Sequence, residues 1–542
     1  MVKAVLGNIA GRICSVIIML GILAALIPAL PGPALAATQP YTMKTVTIEG
    51  AEGANLPAHL YIPTGEAPEG GFPAIVFIHS WVLNQWEYDI QMQKFARAGY
   101  VAICYTCRGW YSAGGEIGTA GPLEMQDLNK VVDWLIANAP VNPEKLGATG
   151  ISYGGGQSLL ALKFEPRFKT VVSMSGWTDL CESLAPEDSP KWLWSGLLVG
   201  TAALFGDQSK EMTDWLLSYL TNNNVDDTKR DLMLRSPVSY LNDVNGNNPP
   251  PVFIINAIND DLFTSRQIVN FYQRYQGPKK LMLANGIHAT AEATGLLGLP
   301  NSAWGQTLDW FNYWLKGDEN GIMNSPAVSV YQKWTNSQGT FADWPIPETV
   351  NKVLYLAGSE KNRVLQENEP GKDNSVQLLN TVFTTSSSGI PMVSPLLYSY
   401  LNTPVNGASP SLIDQSKGSV MFESGRLDKN MTVIGTPRIN VSVKPDKDQF
   451  QVNFMIYDVD KYGKSVLVAH SPYTLKNAGP GNVTRVNLQM NVLSHQFKAG
   501  HKIRLVVCTS DAAYVLPVPK PFRLDLLYGG NTSSSIELPV LP

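Results

Sequence analysis

The sequence is short of charge, of histidine and, beyond its first forty residues, of long apolar runs. Acidic and basic residues make up 16% of the chain and leave a formal net charge of −4. No basic surplus is available to neutralise a phosphate backbone, so nucleic acid is excluded as an expected partner. Cys104 and Cys107 form a C-x-x-C pair inside "YVAICYTCRGW", but no second pair accompanies them, so a zinc site is not indicated. There is no internal repeat and no low-complexity segment, which sets aside repeat arrays.

The N-terminus has what the rest lacks. Lys3 and Arg12 precede "SVIIMLGILAALIPAL", which ends in Pro-Gly-Pro and Ala34-Leu35-Ala36, the layout of a secretory signal over residues 1–36. A secreted or extracytoplasmic protein is expected, with no stable membrane span after cleavage; a retained anchor is the other reading of the same run. The mature chain keeps Cys104, Cys107, Cys181 and Cys508, for which three pairings are possible in an oxidising compartment. Simple packing and one structural disulfide are both compatible with their positions.

At 542 residues the chain exceeds one ordinary core, so two or more domains are expected. Residues 42–65 alternate around glycine-rich turns, as in a hairpin. "FPAIVFIH", "YVAICYT", "KLGATGIS" and "FKTVVSMSG" are short, nearly continuous apolar runs, separated by helical stretches such as "YDIQMQKFARAG" and "LEMQDLNKVVDWLIANAP". This alternation predicts an α/β fold with crossover helices. It is interrupted over about 180–245 by a Trp- and Leu-rich helical insertion, placed as a cap, and resumes to end the first domain near 320. Residues 350–542 carry short alternating runs between Gly, Asn, Pro and Asp turns, the pattern of an all-β sandwich or jelly roll.

The chemistry centres on "GATGISYGGG". Gly150 and Gly154 flank Ser152 at a predicted strand-to-helix turn, the context in which G-x-S-x-G projects a serine oxygen above a sheet. A serine hydroxyl needs a base and an orienting acid, in the order Ser, acid, His for such a fold. Only six histidines are present, and only His288, in "GIHAT", follows Ser152 within the α/β region. "INDDLF" offers Asp260 and Asp261 as the acid, with Asp260 chosen. The N–H of Tyr153 is the expected first oxyanion donor and Trp81, in "HSW", the second, its indole N–H being a further donor or its ring a pocket wall.

Together "GISYGG", "CRGWYSAGG", "INDDLF" and "GIHAT" resemble the serine hydrolases of the Xaa-Pro dipeptidyl-peptidase and cocaine esterase group, peptidase family S15, which includes α-amino acid ester hydrolases. "FESGRLDKNMTVIGTPRINVSV" and "FKAGHKIRLVV" are similar to the jelly-roll module of that family. The resemblance implies an α/β-hydrolase fold with a helical cap and a C-terminal jelly roll. It also implies Ser152, Asp260 and His288 as a triad, an acyl-enzyme mechanism without metal or organic cofactor, and a small peptide or ester as substrate. The chain departs from the family at Thr106, where members often carry aspartate, and at Trp81, in the region where known members place a tyrosine hydroxyl. Xaa-Pro dipeptidyl-peptidase is the leading expectation and an esterase or amidase on small acyl groups the alternative. Glu182, Glu187 and Asp188 are candidate acceptors for a substrate ammonium. A non-catalytic cell-surface binding protein is a third reading, against which stands the presence of all three triad residues in order.

Overall fold

The run Phe72–Ile78 is buried at every residue, as a strand covered on both faces must be. It is β3 of a mixed sheet, in a computed structural model that describes residues 40–542 apart from 222–224, 247, 381–387, 390, 402–416 and 516–520. The expected signal, residues 1–36, lies outside the described residues, among which no helix is long and apolar enough to cross a membrane.

The sheet contains β1 (Tyr41–Glu49), β2 (Asn55–Pro63), β3, β4 (Val101–Tyr105), β5 (Val141–Ile151), β6 (Phe168–Met174), β7 (Val252–Ala257), β8 (Lys279–Ala284), β9 (Val328–Gln332) and β10 (Ser337–Phe341), in the spatial order 1-2-4-3-5-6-7-8-9-10. β1, β2 and β4 pair antiparallel, and the ladder from β4 through β3 to β9 is parallel. Helices α1 (Asp89–Arg97), α2 (Pro122–Asn138) and α3 (Tyr153–Phe164) make the first crossovers. α2 opens with Pro122 and with Glu124, whose carboxylate accepts the Gly121 N–H at 3.0 Å, so composition and cap agree on where the helix starts.

Between β6 and β7 lie α4 (Leu180–Leu184), α5 (Trp192–Phe205), α6 (Lys210–Thr221), α7 (Val225–Leu234) and α8 (Leu241–Val244), which form the cap. α5 carries no charged residue and lies over the C-terminal edge of the sheet, burying Trp194, Leu197 and Ala202. After β7 come α9 (Ser265–Arg274), then, beyond β8, α10 (Thr290–Leu296) and α11 (Ser302–Phe311). The sheet takes in β9 and β10, beyond the boundary near 320 read from the sequence. These strands are five residues each, too short for their alternation to stand out, and it is pairing of β9 with buried β8 that recruits them.

From Val350 onward the chain is β-rich and almost wholly antiparallel, with thirteen strands among the described residues and one α-helix, α12 (Val393–Leu401). Its core, which includes Phe422, Val441, Phe454, Leu505 and Leu526, is separate from that of the first domain. The two domains nevertheless share buried surface, since Ile434 and Val492 pack in the same cluster as Trp177, Leu262 and Phe263. Cap and C-terminal domain are also joined by polar contacts. Trp192 Nε1 donates to the Ala512 carbonyl at 2.7 Å, the Val515 N–H to the Pro190 carbonyl at 2.8 Å, and Ser189 Oγ lies 2.8 Å from Thr474 Oγ1.

Cys104, Cys107 and Cys181 are free thiols, the first two buried, and Cys508 is buried as well. The C-x-x-C pair therefore fills space at the end of β4, and burial pushes the Cys104 and Cys107 thiols well up, away from the thiolate that redox chemistry requires.

Candidate active site

Ser152 occupies the turn between β5 and α3 with φ 56° and ψ −111°, a backbone conformation an L-residue adopts only where its surroundings impose it. The glycines explain how the turn closes. A Cβ at Gly154 would stand 1.7 Å from the Ile78 carbonyl oxygen and one at Gly150 2.4 Å from the same atom, so β3 can approach the elbow only because both side chains are absent.

His288 follows β8 and Asp260 follows β7, so all three residues converge at the C-terminal edge of the parallel strands. Ser152 Oγ lies 2.8 Å from His288 Nε2, and His288 Nδ1 lies 2.8 Å from Asp260 Oδ2. An ionised carboxylate only accepts, so Nδ1 carries the proton and Nε2 is left to take the serine hydroxyl. Asp260 is held in turn by the N–H groups of Leu262 and Phe263, both 2.9 Å from its Oδ1. Those two donors distinguish Asp260 from Asp261, whose Oδ2 instead accepts from the Met392 N–H at 2.7 Å. Burial disfavours the His288 imidazolium, but the Asp260 carboxylate and its hydrogen bond outweigh that cost. With smaller help from Glu292 and Asp261, they raise the imidazole above its ordinary value. The arrangement can deprotonate Ser152 for attack on a carbonyl and return the proton to a leaving group.

Tyr153 is the first residue of α3, where a helix leaves its N–H without an intrahelical carbonyl, so that donor is free to face a developing oxyanion. Trp81 follows β3 across the same pocket. Of the two roles read for its side chain, that of a further donor is closed, because the indole N–H is given to the Leu198 carbonyl at 3.3 Å and to Thr201 Oγ1 at 3.1 Å on α5. The ring packs edge-on against Tyr153 and Trp110, with centroids 5.2 and 4.8 Å away, which makes it a pocket wall and leaves only its main-chain N–H for the oxyanion role.

The loop that carries Trp81 is braced by residues the sequence did not single out. Glu87, buried, accepts from both the N–H and the hydroxyl of Ser80 at 2.6 Å, and burial pushes its carboxyl up to about 7 against those hydrogen bonds. His79 accepts the Cys107 N–H at Nε2 (2.9 Å) and donates from Nδ1 to the Ser80 carbonyl (2.7 Å). Burial holds it down at about 4, so it stays neutral and keeps both bonds. Arg108, in the Arg-Gly segment, forms a bidentate pair with Asp127 at 2.7 and 2.9 Å. Thr106, where an aspartate was the family expectation, instead exchanges hydrogen bonds with Gln85.

Ser152 opens onto a pocket walled by Trp81, Tyr153, Trp177, Leu198, Trp215 and Phe263, with no acidic or basic side chain among its described lining. A second cavity adjoins the acid loop on the side of the C-terminal domain and is lined by Lys191, Trp194, Asp260, Asp261, His470 and Tyr514 among others. Lys191 Nζ braces the acid loop by donating to the carbonyls of Asp261 and Leu262 at 2.7 and 2.9 Å. Asp261 Oδ1 is buried without a hydrogen-bond partner. The cap carboxylates are differently placed. Glu182 and Glu187 are both bound to Arg266, and Asp188 to Lys229, so none of the three is free for a substrate ammonium. No cluster of metal-ligating side chains is found among the described residues.

Residues 52–290 match the X-Pro dipeptidyl-peptidase (S15 family) model, and residues 320–530 match the X-Pro dipeptidyl-peptidase C-terminal non-catalytic domain. A Bacillus anthracis protein provisionally named Xaa-Pro dipeptidyl-peptidase is 25% identical over 460 residues, which cover 77% of this chain and 70% of that one. In fold the chain is similar to an aminopeptidase of a marine Thaumarchaeota archaeon, with TM-score 0.68, 15% identity and 95% and 99% of the two chains covered. It is also similar to a CocE/NonD family hydrolase of Staphylococcus aureus, with TM-score 0.69, 14% identity and coverage of 92% and 94%.

Proposed function

Because the chain belongs to peptidase family S15, the serine hydrolases that include X-Pro dipeptidyl-peptidases, we propose that Ser152, His288 and Asp260 form its catalytic triad and that it releases Xaa-Pro dipeptides from peptide N-termini. Ser152 attacks the scissile carbonyl while His288 takes its proton. The oxyanion faces the N–H groups of Tyr153 and Trp81, His288 then protonates the leaving amine, and water releases the acyl group. Asp260 holds the tautomer throughout. Localisation follows the N-terminal run, and the mature protein is proposed to act outside the cytoplasm.

The observation that carries this reading is the unbroken hydrogen-bond chain from Asp260 to Ser152, opening onto an apolar pocket, with the Asp261 carboxylate next to Asp260 in the second cavity. The pyrrolidine of a proline is apolar and suits the aromatic wall, and Asp261 Oδ1 supplies an acceptor for a free α-ammonium. A second reading, an esterase or amidase on small apolar acyl groups, is favoured by the same pocket taken alone, since its described lining holds no charge.

Hydrolysis of an Xaa-Pro anilide, the same peptide with a blocked N-terminus and a short-chain nitrophenyl ester tests both, with Ser152→Ala as control. The variant should lose all turnover and all labelling by a fluorophosphonate. Cleavage of the free-amine peptide alone supports the dipeptidyl-peptidase; turnover of the ester alone supports the esterase.

A further inference from the structure

Glu292 lies one turn beyond His288, on α10, and is fully buried. Its Oε1 accepts a hydrogen bond from Ser175 Oγ at 3.0 Å, and its Oε2 has no hydrogen-bond partner. Ser175 Oγ also accepts the N–H of Ala289 at 3.3 Å, the residue directly after His288. Ser175 and Ala289 both sit at positive φ, 44° and 58°, so each of these two turns is held in a conformation that its own residue type does not favour. Carboxylate, hydroxyl and main chain thus link the end of β6 to the histidine loop.

A buried carboxylate oxygen without a donor is costly unless a positive charge compensates it. The cation within reach is the imidazolium that His288 becomes when it takes the serine proton. The other ionisable group facing Glu292 is Asp260, from the loop after β7; α11 contributes only the Trp304 indole, which donates to the Glu292 carbonyl at 3.1 Å, and α1 only Gln91, on the Gly295 carbonyl.

We propose that Glu292 is a positioning residue for the hydrolytic reaction: through Ser175 it fixes the loop that carries His288, and its negative charge stands behind the imidazolium as it forms. The inference rests on the triad reading above. Burial pushes the Glu292 carboxyl up to about 7, against the Ser175 hydrogen bond and the His288 charge, and Glu292 in turn raises His288. Each charge therefore bears on the ionisation of the other.

The test uses the full mature chain and its Glu292→Gln and Ser175→Ala variants. The measurements are an NMR titration of the His288 imidazole, the pH profile of kcat/KM, and thermal unfolding. Removal of the charge should lower the His288 pKa and carry the acid limb of kcat/KM to lower pH by about half a unit or more. Plateau kcat should fall about tenfold with KM unchanged. Ser175→Ala retains the charge and should lower kcat at constant KM. A Glu292→Gln protein whose imidazole titration and acid limb overlay those of the wild type, with only its Tm reduced, overturns the proposal. Should Glu292→Gln not fold, an unchanged kcat in Ser175→Ala does so. The NMR titration needs no turnover, so persistence of hydrolysis in Ser152→Ala would sink the triad reading and leave the effect of Glu292 on His288 separately visible.

Discussion

The indole N–H of Trp81 donates to Thr201 Oγ1 at 3.1 Å, which ties the loop after β3 to the middle of cap helix α5. The residue proposed to supply one oxyanion donor is therefore tied to the cap as well as to the loop braced by Ser80 and Glu87. Trp81→Phe keeps an aromatic wall and removes that tie. A lost buried hydrogen bond is worth about 1–2 kcal/mol, so kcat should drop roughly 5- to 30-fold. Thr201→Val should move kcat in the same direction by a smaller factor, because the Leu198 carbonyl remains. Steady-state kinetics at saturating ester checks both, and an unchanged kcat in Trp81→Phe would dissociate the cap from transition-state stabilisation.

Asp260 and Asp261 are adjacent in sequence and differently bonded. Asp260→Asn leaves the geometry but inverts the imidazole tautomer, for which a loss of about 10⁴ in kcat is expected. Asp261→Asn should leave ester hydrolysis within a few-fold and raise KM for a free-amine Xaa-Pro peptide about tenfold. Equal loss of both substrates in Asp261→Asn would show that it braces the acid loop and does not bind an amine.

His79 makes the molecule sensitive to acid. Its folded-state value, pushed to about 4 by burial, lies below the ordinary 6.5, so between these values the unfolded chain binds the extra proton. The stabilisation is complete above 6.5 and is lost as pH falls toward 4. Urea denaturation of wild type and His79→Gln at several pH values should show the wild-type advantage growing from pH 4 to 6.5 and level thereafter. A difference independent of pH would show that His79 is not neutral and buried as described.

Arg266, itself buried, joins Glu182 and Glu187 of the cap region and donates to the Gln489 carbonyl of the C-terminal domain at 2.5 Å. Arg266→Met strands two carboxylates and should cost about 3–5 kcal/mol in urea unfolding. The triple variant with Glu182→Gln and Glu187→Gln should recover part of that loss; no recovery would mean that Arg266 stabilises by packing alone.

Much of this site was readable from residue types in order. A chain with six histidines leaves one candidate after Ser152 in the α/β region, and the glycines around Ser152 announce a turn that β3 crowds. What was not readable depends on contacts between distant segments. Nothing near Trp81 says that its indole points to a helix 117 residues on, and nothing near Glu292 says that its partner hydroxyl lies 117 residues back. Asp260 and Asp261 are separable only by which of them receives two main-chain N–H groups, a matter of loop geometry. Cap acids such as Glu182 look available until Arg266 is seen between them.

The entry to cap helix α5 is gripped by the far domain at Ser189, Pro190 and Trp192, through Thr474, Val515 and Ala512. α5 begins at Trp192 and carries the carbonyl and hydroxyl that hold Trp81, so the C-terminal domain reaches the apolar pocket beside Ser152 through one helix. Its name as a non-catalytic domain understates that position. In evolutionary terms the two domains are not interchangeable parts: a recombined chain that kept the hydrolase and took another β-rich domain would inherit a cap with its foundation removed. Only Ser189 and Thr474 meet side chain to side chain, so substitutions at 189 are expected to be tolerated chiefly when matched by a change at 474.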